Sequence, residues 1–263
     1  MPNTIRENKV DLAKEMGCVA MSVGIESGDP DVRKKLMRHY NNEKLVDNLQ
    51  MVINKEIRVS TFNIIGFPEE NRDQVFKTIE LNREIGTSAC NVYILYPYPG
   101  TPIAIQNKIP LRDQNGKIPT QDIACELGLS EMSSDELRGL LKTFNLYLHL
   151  NKPLWPIIRL AEKQTETGQK INMILSRLSV SLLDKKGAYS DFPLEKNKIF
   201  DKNSVPDELK DLFDLDLNPE DFSIIYDSLK SEFASPSNRH TVKTHKLKAF
   251  PPDNRIKLQS VIL

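Results

Sequence analysis

The sequence predicts an α/β fold in which parallel strands alternate with helices. Strand-like runs of β-forming residues occupy 19–25, 57–65 and 91–96, and the segments between them have helical spacing of apolar residues. Each run ends in a turn rich in glycine or proline, and helix-start signals follow the first two. Crossovers of this kind give parallel strands with right-handed connections. We therefore expect the carboxyl ends of the strands to lie at one edge of a sheet.

The helices of this first half carry boundary signals. They are predicted over four segments: 4–16, 30–38, 42–54 and 72–85. Thr4 and Glu7 have the spacing of a capping box, and Asn71 and Gln74 repeat that spacing. Asp29 precedes a proline at a first helical position. The signals support four separate helices.

The second half of the sequence predicts helices and polar segments. Residues 103–130 are polar and predict an extended loop, whereas Ser133 opens a helix with a leucine-rich stripe. Another helix is predicted over 157–183, and the composition then becomes rich in Asp, Lys, Ser and Pro, which favours partial disorder. The predicted domains are a barrel segment at 1–105, a helical extension at 106–184 and a polar region at 185–263.

Composition excludes several classes of function. The 36 basic and 36 acidic residues give a net charge of zero, so no nucleic-acid partner held by bulk charge is expected. No apolar run approaches the ~20 residues of a membrane span, and the N-terminus has no signal-peptide core, so we expect a cytoplasmic protein without a membrane partner. Cys18, Cys90 and Cys125 are far apart, which predicts neither a disulfide framework nor a metal site. We expect Cys18 and Cys90 to be buried.

Three turn segments follow the predicted strands, and they carry the candidate functional residues. They are Gly24-Ile-Glu-Ser-Gly28, Gly66-Phe-Pro-Glu-Glu70 and Tyr96-Pro-Tyr-Pro-Gly100. The carboxyl edge of a parallel sheet is where such folds bind ligands. The alternative is that the three turns serve folding alone.

Glu26 is the most specific candidate, because a carboxylate between glycines can accept hydrogen bonds from a ribose diol while the glycines let a ligand approach. Its alternative role is an ion pair with a nearby lysine or a helix cap. Arg38 suits a ligand carboxylate, or is an exposed arginine near a helix C-terminus. Glu69 and Glu70 precede a helix, so a structural cap is the default and catalysis the alternative. No catalytic residue is predicted.

The motifs together resemble radical S-adenosylmethionine (SAM) enzymes. Met-Gly-Cys18, Gly-Ile-Glu-Ser-Gly28, Gly-Phe-Pro-Glu-Glu70 and Tyr-Pro-Gly-Thr-Pro102 occur in the order seen in that family. The sequence is most similar to the subgroup with an N-terminal cobalamin-binding domain, and the resemblance covers roughly residues 1–160.

The resemblance implies a partial (β/α) barrel resembling a TIM barrel, together with the family's cofactors. A 4Fe-4S cluster binds SAM and cleaves it to a radical that attacks the substrate, after reduction by a donor such as flavodoxin or ferredoxin. Cobalamin is a further cofactor of the subgroup. Carried over by position, the cofactor-binding candidates are Glu26, Ser27, Arg38, Asn63 and Gly66, with Glu26 near the SAM ribose and Arg38 near its carboxylate.

This sequence departs from the family pattern in two places. The cluster-binding Cys-x-x-x-Cys-x-x-Cys does not occur in it, so we expect the cluster ligands outside this chain. Glu69 and Asn71 replace a glycine and a threonine, and a positive φ at Glu69 would strain the backbone.

The chain is therefore predicted to be part of a radical SAM enzyme acting on an unknown substrate. The alternative is a non-catalytic partner or truncated fragment that completes a barrel supplied by another chain, because three parallel strands leave exposed edges and the sequence opens on a helix.

Overall fold

The computed structural model describes residues 4–109, 124, 126–185 and 207–233. The chain divides into two compact units, Met1–Leu148 and His149–Leu263.

The first unit alternates helices and strands. In chain order its elements are α1 (Glu7–Glu15), β1 (Ala20–Glu26), α2 (Pro30–Lys35), α3 (Asn42–Asn54), β2 (Arg58–Ile65), α4 (Arg72–Ile85), β3 (Ala89–Ile94), α5 (Pro102–Gln106) and α6 (Ser134–His149). All three predicted strands form, each within two residues of its expected limits. The predicted α/β fold class is confirmed.

The strands form one parallel sheet in the order β1-β2-β3. One face packs against α1, α3 and α4 through a buried core that includes Val10, Leu49, Val59 and Leu81. We call the opposite face the open face; the residues on it include Ser22, Gly24, Ser60, Phe62 and Tyr93. Phe62 and Tyr93 are 39% and 50% exposed. Parallel sheets normally have both faces covered, so the open face is suited to a ligand or to further protein.

The outer edge of β3 is covered by a side chain of α6. Asn145 Nδ2 donates to the carbonyl of Cys90 at 2.9 Å, and the Cys90 amide donates to Asn145 Oδ1 at 3.0 Å. These bonds replace those of a neighbouring strand. The predicted exposed edge is thus capped at Cys90, whereas β1 is an edge strand of the described sheet.

Capping boxes were predicted at the starts of α1 and α4, and only the one at α4 forms. The capping box of Asn71 and Gln74 forms in both directions at 3.1 Å, which confirms the prediction for α4. The box predicted for Thr4 and Glu7 is wrong, because α1 begins at Glu7 after Arg6, whose side chain makes no capping hydrogen bond.

The predicted loop over 103–130 is wrong at its start. Thr101 Oγ1 accepts a hydrogen bond from the Ala104 amide, and Pro102 occupies the first turn of α5. A capped proline start allows a short helix where composition favoured a loop. Residues 110–123 lie outside the described part.

The described residues of the second unit are mostly helical, as predicted. Its α-helices are α7 (Trp155–Ala161), α8 (Glu166–Lys185), α9 (Asp207–Lys210) and α10 (Pro219–Phe233). The single helix predicted over 157–183 is wrong, because Thr165 Oγ1 accepts from the Gly168 amide at 3.1 Å and starts a second helix. The region 185–263 was predicted to be loosely folded and partly disordered, and most of it lies outside the described residues. Its described part, 207–233, contains α9 and α10, which the composition did not predict.

Helix length bears on the predicted absence of a membrane partner. Within the described ranges, no helix is both long and apolar enough to cross a bilayer. The partner and compartment predictions stay predictions.

Candidate cofactor site at the carboxyl ends of the strands

Glu26 is the last residue of β1 and lies at an irregularity of the sheet. The register between β1 and β2 shifts between Gly24 and Glu26, and Glu26 has a φ of +68°. A Cβ at position 24 would lie 3.1 Å from Glu26 Oε1. The carboxylate therefore folds back over Gly24 on the open face, where a side chain at position 24 would crowd it.

Arg38 contacts this carboxylate. Its Nη2 donates to Glu26 Oε1 at 3.1 Å, and the two side chains are 33% and 19% exposed. The alternative role of Glu26 was an ion pair with a lysine, but its partner is Arg38. Because both groups retain exposure, a ligand can reach the pair.

The position of Arg38 is set by the end of α2. The helix stops at Lys35, Met37 takes a φ of +54°, and the Arg38 amide bonds to the Arg33 carbonyl at 3.0 Å. Arg38 lies three residues beyond the helix rather than at its last turn, which weakens the helix-dipole interpretation of its charge.

The side chains of Ser27 and Asn63 lie on the helix-covered side of the sheet. Ser27 Oγ is 3.3 Å from Thr78 Oγ1, and Asn63 Oδ1 accepts from Asn82 Nδ2 at 3.1 Å. Both side chains are fully buried. Their contacts are structural, and their role as cofactor contacts stays a prediction.

Gly66 and Glu70 form the turn after β2. Gly66 has a φ of +84°, which favours glycine, and its amide donates to Glu70 Oε2 at 2.6 Å. The Phe67 amide donates to the same oxygen at 3.2 Å. Glu70 thus caps this turn, whereas Asn71 caps α4. Burial raises the pKa of Glu70 to about 7, although both amide bonds favour the charged form.

Glu69 meets the condition under which backbone strain was expected at this position. It has a φ of +62°, in a region where a glycine is less strained. Its exposed carboxylate is 2.7 Å from Lys35 Nζ, and this hydrogen bond lowers the pKa of Glu69. The ion pair connects the turn after β2 to the end of α2.

Gly28 serves packing rather than access for a ligand. A Cβ there would lie 2.4 Å from the Lys77 carbonyl oxygen and 2.5 Å from Thr78 Cα. The sequence interpretation that the glycines around Glu26 admit a ligand is therefore wrong for Gly28, because the backbone of α4 occupies that space.

Sequence reasoning missed Arg33 and Tyr40. Arg33 Nη1 donates to the Ser27 carbonyl at 2.8 Å, and the Tyr40 hydroxyl donates to the Ile25 carbonyl. No sequence signal marks these contacts, because they depend on how the segment after α2 folds back on the turn at Glu26.

The cysteines do not form a metal site in the described part of the chain. Cys90 is buried as predicted, its thiol lies 3.2 Å from Thr61 Oγ1, and burial raises the pKa of the thiol. Cys18 is only half-buried, so the prediction that it is buried is wrong. Cys125 lies outside the described residues. Among those residues, no group of three or more His, Cys, Asp or Glu side chains is arranged to hold a metal ion.

The fold and this site define a parallel α/β segment with a polar pair at the carboxyl end of its first strand. Residues 1–81 match the family model of the radical SAM superfamily. The predicted resemblance to radical SAM enzymes is therefore confirmed over these residues.

Curated relatives extend the similarity beyond this segment. An uncharacterized methyltransferase of Pyrococcus horikoshii is 27% identical over 151 residues, covering 56% of this chain and 32% of the relative. Two proteins named tRNA-2-methylthio-N(6)-dimethylallyladenosine synthase are similar to it. That of Deinococcus radiodurans is 29% identical, covering 32% of this chain and 17% of the relative. That of Dehalococcoides mccartyi is 27% identical, covering 52% of this chain and 32% of the relative. The chain spans about a third or less of the length of these relatives.

Proposed function

We propose that this chain is part of a radical SAM enzyme and supplies Glu26 and Arg38 as contacts to SAM. The observation that carries the proposal is the Glu26–Arg38 pair, which lies partly exposed at the carboxyl end of β1, over the open face. The family match over residues 1–81 includes both residues and supports the same cofactor.

The chemistry of the pair fits SAM. A carboxylate accepts hydrogen bonds from both hydroxyls of a ribose, and a guanidinium offers a fork of donors to the carboxylate of an amino acid. A ligand that carries both groups can thus satisfy Glu26 and Arg38 together. Bound SAM supplies a sulfonium group with a cleavable carbon–sulfur bond.

The residues present do not fit a 4Fe-4S cluster. The sequence has three widely spaced cysteines, and Cys90 is buried on the side of the sheet that faces away from Glu26. We propose that the cluster ligands belong to another part of the enzyme, or to another chain, which would also receive the electron from flavodoxin or ferredoxin.

The reaction class we propose is transfer of a methyl or methylthio group, because the relatives are named for those reactions. Cobalamin is proposed from the motif resemblance alone.

We also propose that the protein has no nucleic-acid partner held by bulk charge, because its net charge is zero. We propose a cytoplasmic location as well.

The site can be tested by titrating the purified chain with S-adenosylhomocysteine in a calorimeter. This compound is what remains of SAM after it loses its methyl group, and it is stable. Glu26→Ala and Arg38→Ala should each weaken binding about tenfold or more, because each removes hydrogen bonds to a charged group. Equal affinity in the wild type and both variants, or no binding by the wild type, would defeat the proposal.

Glu56→Ala is a matched control. Glu56 also has a positive φ, +58°, and its carboxylate also lies near a basic group, 3.6 Å from Lys14 Nζ. Glu56 precedes β2 and so lies at the amino ends of the strands, whereas Glu26 lies at a carboxyl end. Its removal should therefore leave the affinity for S-adenosylhomocysteine unchanged.

The open face favours a second candidate function, completion of a barrel supplied by another chain. β1 is an edge strand of the described sheet, and aromatic residues of the open face are exposed. Co-expression with a polypeptide that carries a Cys-x-x-x-Cys-x-x-Cys half-barrel tests it by size-exclusion chromatography. Co-elution that Ser22→Arg abolishes would support this function; independent elution would count against it.

A further inference from the structure

Glu26 needs support to keep its conformation. Its φ of +68° lies in the left-handed region, which is unfavourable for a residue with a Cβ. Such a residue keeps this conformation only where its surroundings determine it. Its neighbours in sequence, Ile25 and Ser27, are both fully buried, and their carbonyl groups receive side-chain hydrogen bonds.

Tyr40 holds the residue before Glu26. Its hydroxyl group donates to the Ile25 carbonyl, and burial raises the pKa of this hydroxyl to about 12. The group therefore stays protonated, and remains a donor, at every pH at which the protein would be studied. Tyr40 follows α2, so the contact ties this segment to the end of β1.

Arg33 holds the residue after Glu26. Its Nη1 donates to the Ser27 carbonyl at 2.8 Å, its Nη2 donates to the Tyr40 carbonyl at 3.4 Å, and the side chain is 1% exposed. The guanidinium carbon lies 4.7 Å from the centre of the Tyr40 ring. A buried guanidinium is costly to desolvate, so its use on backbone carbonyls needs a reason beyond stability.

The same short segment also supplies Arg38, the partner of Glu26. Arg38 lies between Arg33 and Tyr40 in sequence, and its amide bonds to the Arg33 carbonyl at 3.0 Å. The geometry points to Arg33 and Tyr40 as positioning residues that clamp the turn on both sides of Glu26 and hold its carboxylate where a ribose can bind. The clamp is a property of the free chain, whereas its purpose rests on the proposed function.

Hydrogen exchange of the free chain tests the clamp without a ligand. Tyr40→Phe removes one hydroxyl and keeps the ring beneath Arg33. We expect amide exchange in peptides covering 24–30 to become about fivefold faster, as loss of one hydrogen bond implies, while the unfolding midpoint of the chain changes little. Tyr226→Phe, in α10, is the matched control and should leave these peptides unchanged.

Arg33 provides a second variant on the other side of the turn. Arg33→Lys keeps a charge but loses the fork, and we expect it to accelerate exchange in the same peptides. Unchanged exchange in both Tyr40→Phe and Arg33→Lys would overturn the clamp, whether or not the chain binds SAM.

Discrimination of ribose tests the purpose of the clamp. The wild-type chain should bind adenosine more tightly than 2′-deoxyadenosine. Tyr40→Phe should lower the ratio of these two affinities several-fold, toward the ratio shown by Glu26→Ala. If Tyr40 had only a structural role, Tyr40→Phe would lower the affinity for both nucleosides equally, and that result would overturn the positioning role. If the wild type binds neither these nucleosides nor S-adenosylhomocysteine while exchange responds to the variants, the proposed function fails and the clamp stands.

Discussion

Glu70 is a buried carboxyl group whose ionisation should control stability. Burial raises its pKa to about 7, from an ordinary value near 4.5. Because the folded pKa exceeds the unfolded one, the folded chain binds more protons between these two values. Stability contributed by the protonated form is therefore present below about pH 4.5 and is lost as the pH rises toward 7.

Glu70→Gln tests this assignment. The variant keeps an acceptor for the Gly66 and Phe67 amides but cannot ionise, so its stability should be flatter over this window. We expect the difference in unfolding free energy between variant and wild type to change by on the order of 1–3 kcal/mol from pH 4.5 to 7. Urea unfolding at several pH values measures it. A difference that does not vary with pH would show that Glu70 does not titrate there.

At the scale of elements, the edge of β3 depends on one side chain of α6. The amide of Asn145 bonds both backbone groups of Cys90, at 2.9 and 3.0 Å. Asn145→Leu should lower the unfolding free energy by about 1–3 kcal/mol, because it leaves two backbone groups of a buried residue without partners. Urea unfolding measures this loss, and exposure of the edge should also increase aggregation.

Asn107→Ala is a suitable comparison for that variant. Asn107 Nδ2 donates to the Ile103 carbonyl at 2.9 Å, within a single turn at the end of α5. Its loss should cost less than that of Asn145, because no strand edge depends on it. Equal losses in the two variants would mean that α6 does not protect β3.

At the scale of the whole molecule, the chain should not assemble a 4Fe-4S cluster by itself. Its three cysteines are far apart in sequence, and Cys90 is buried. Anaerobic reconstitution with iron and sulfide, followed by analysis of bound iron and of visible absorption, tests this expectation. Wild type and a variant with Cys18, Cys90 and Cys125 changed to Ala should retain the same small amount of iron. A full complement of iron in the wild type alone would contradict it.

Local sequence signals predicted much of the fold at this scale. The alternation of strands and helices and the cap at Asn71 were both expected, because each depends on residues within a few positions. The possibility of a positive φ at Glu69 came instead from the resemblance, through the glycine that the family has at this position. The single helix predicted over 157–183 was wrong because the apolar spacing continues past a local capping contact, in which the side chain of Thr165 starts a second helix.

The sequence by itself determined the α/β class, the three strands and the turns at their carboxyl ends, because apolar periodicity and turn residues act locally. The tertiary structure alone decided which candidates share a site. It placed Glu26 beside Arg38 over the open face and turned Ser27 and Asn63 toward α4. It also brought Arg33 and Tyr40 to the turn around Glu26. The physical reason is that the direction of a side chain at a strand end depends on register shifts and on the segment that packs against it, which no local pattern records.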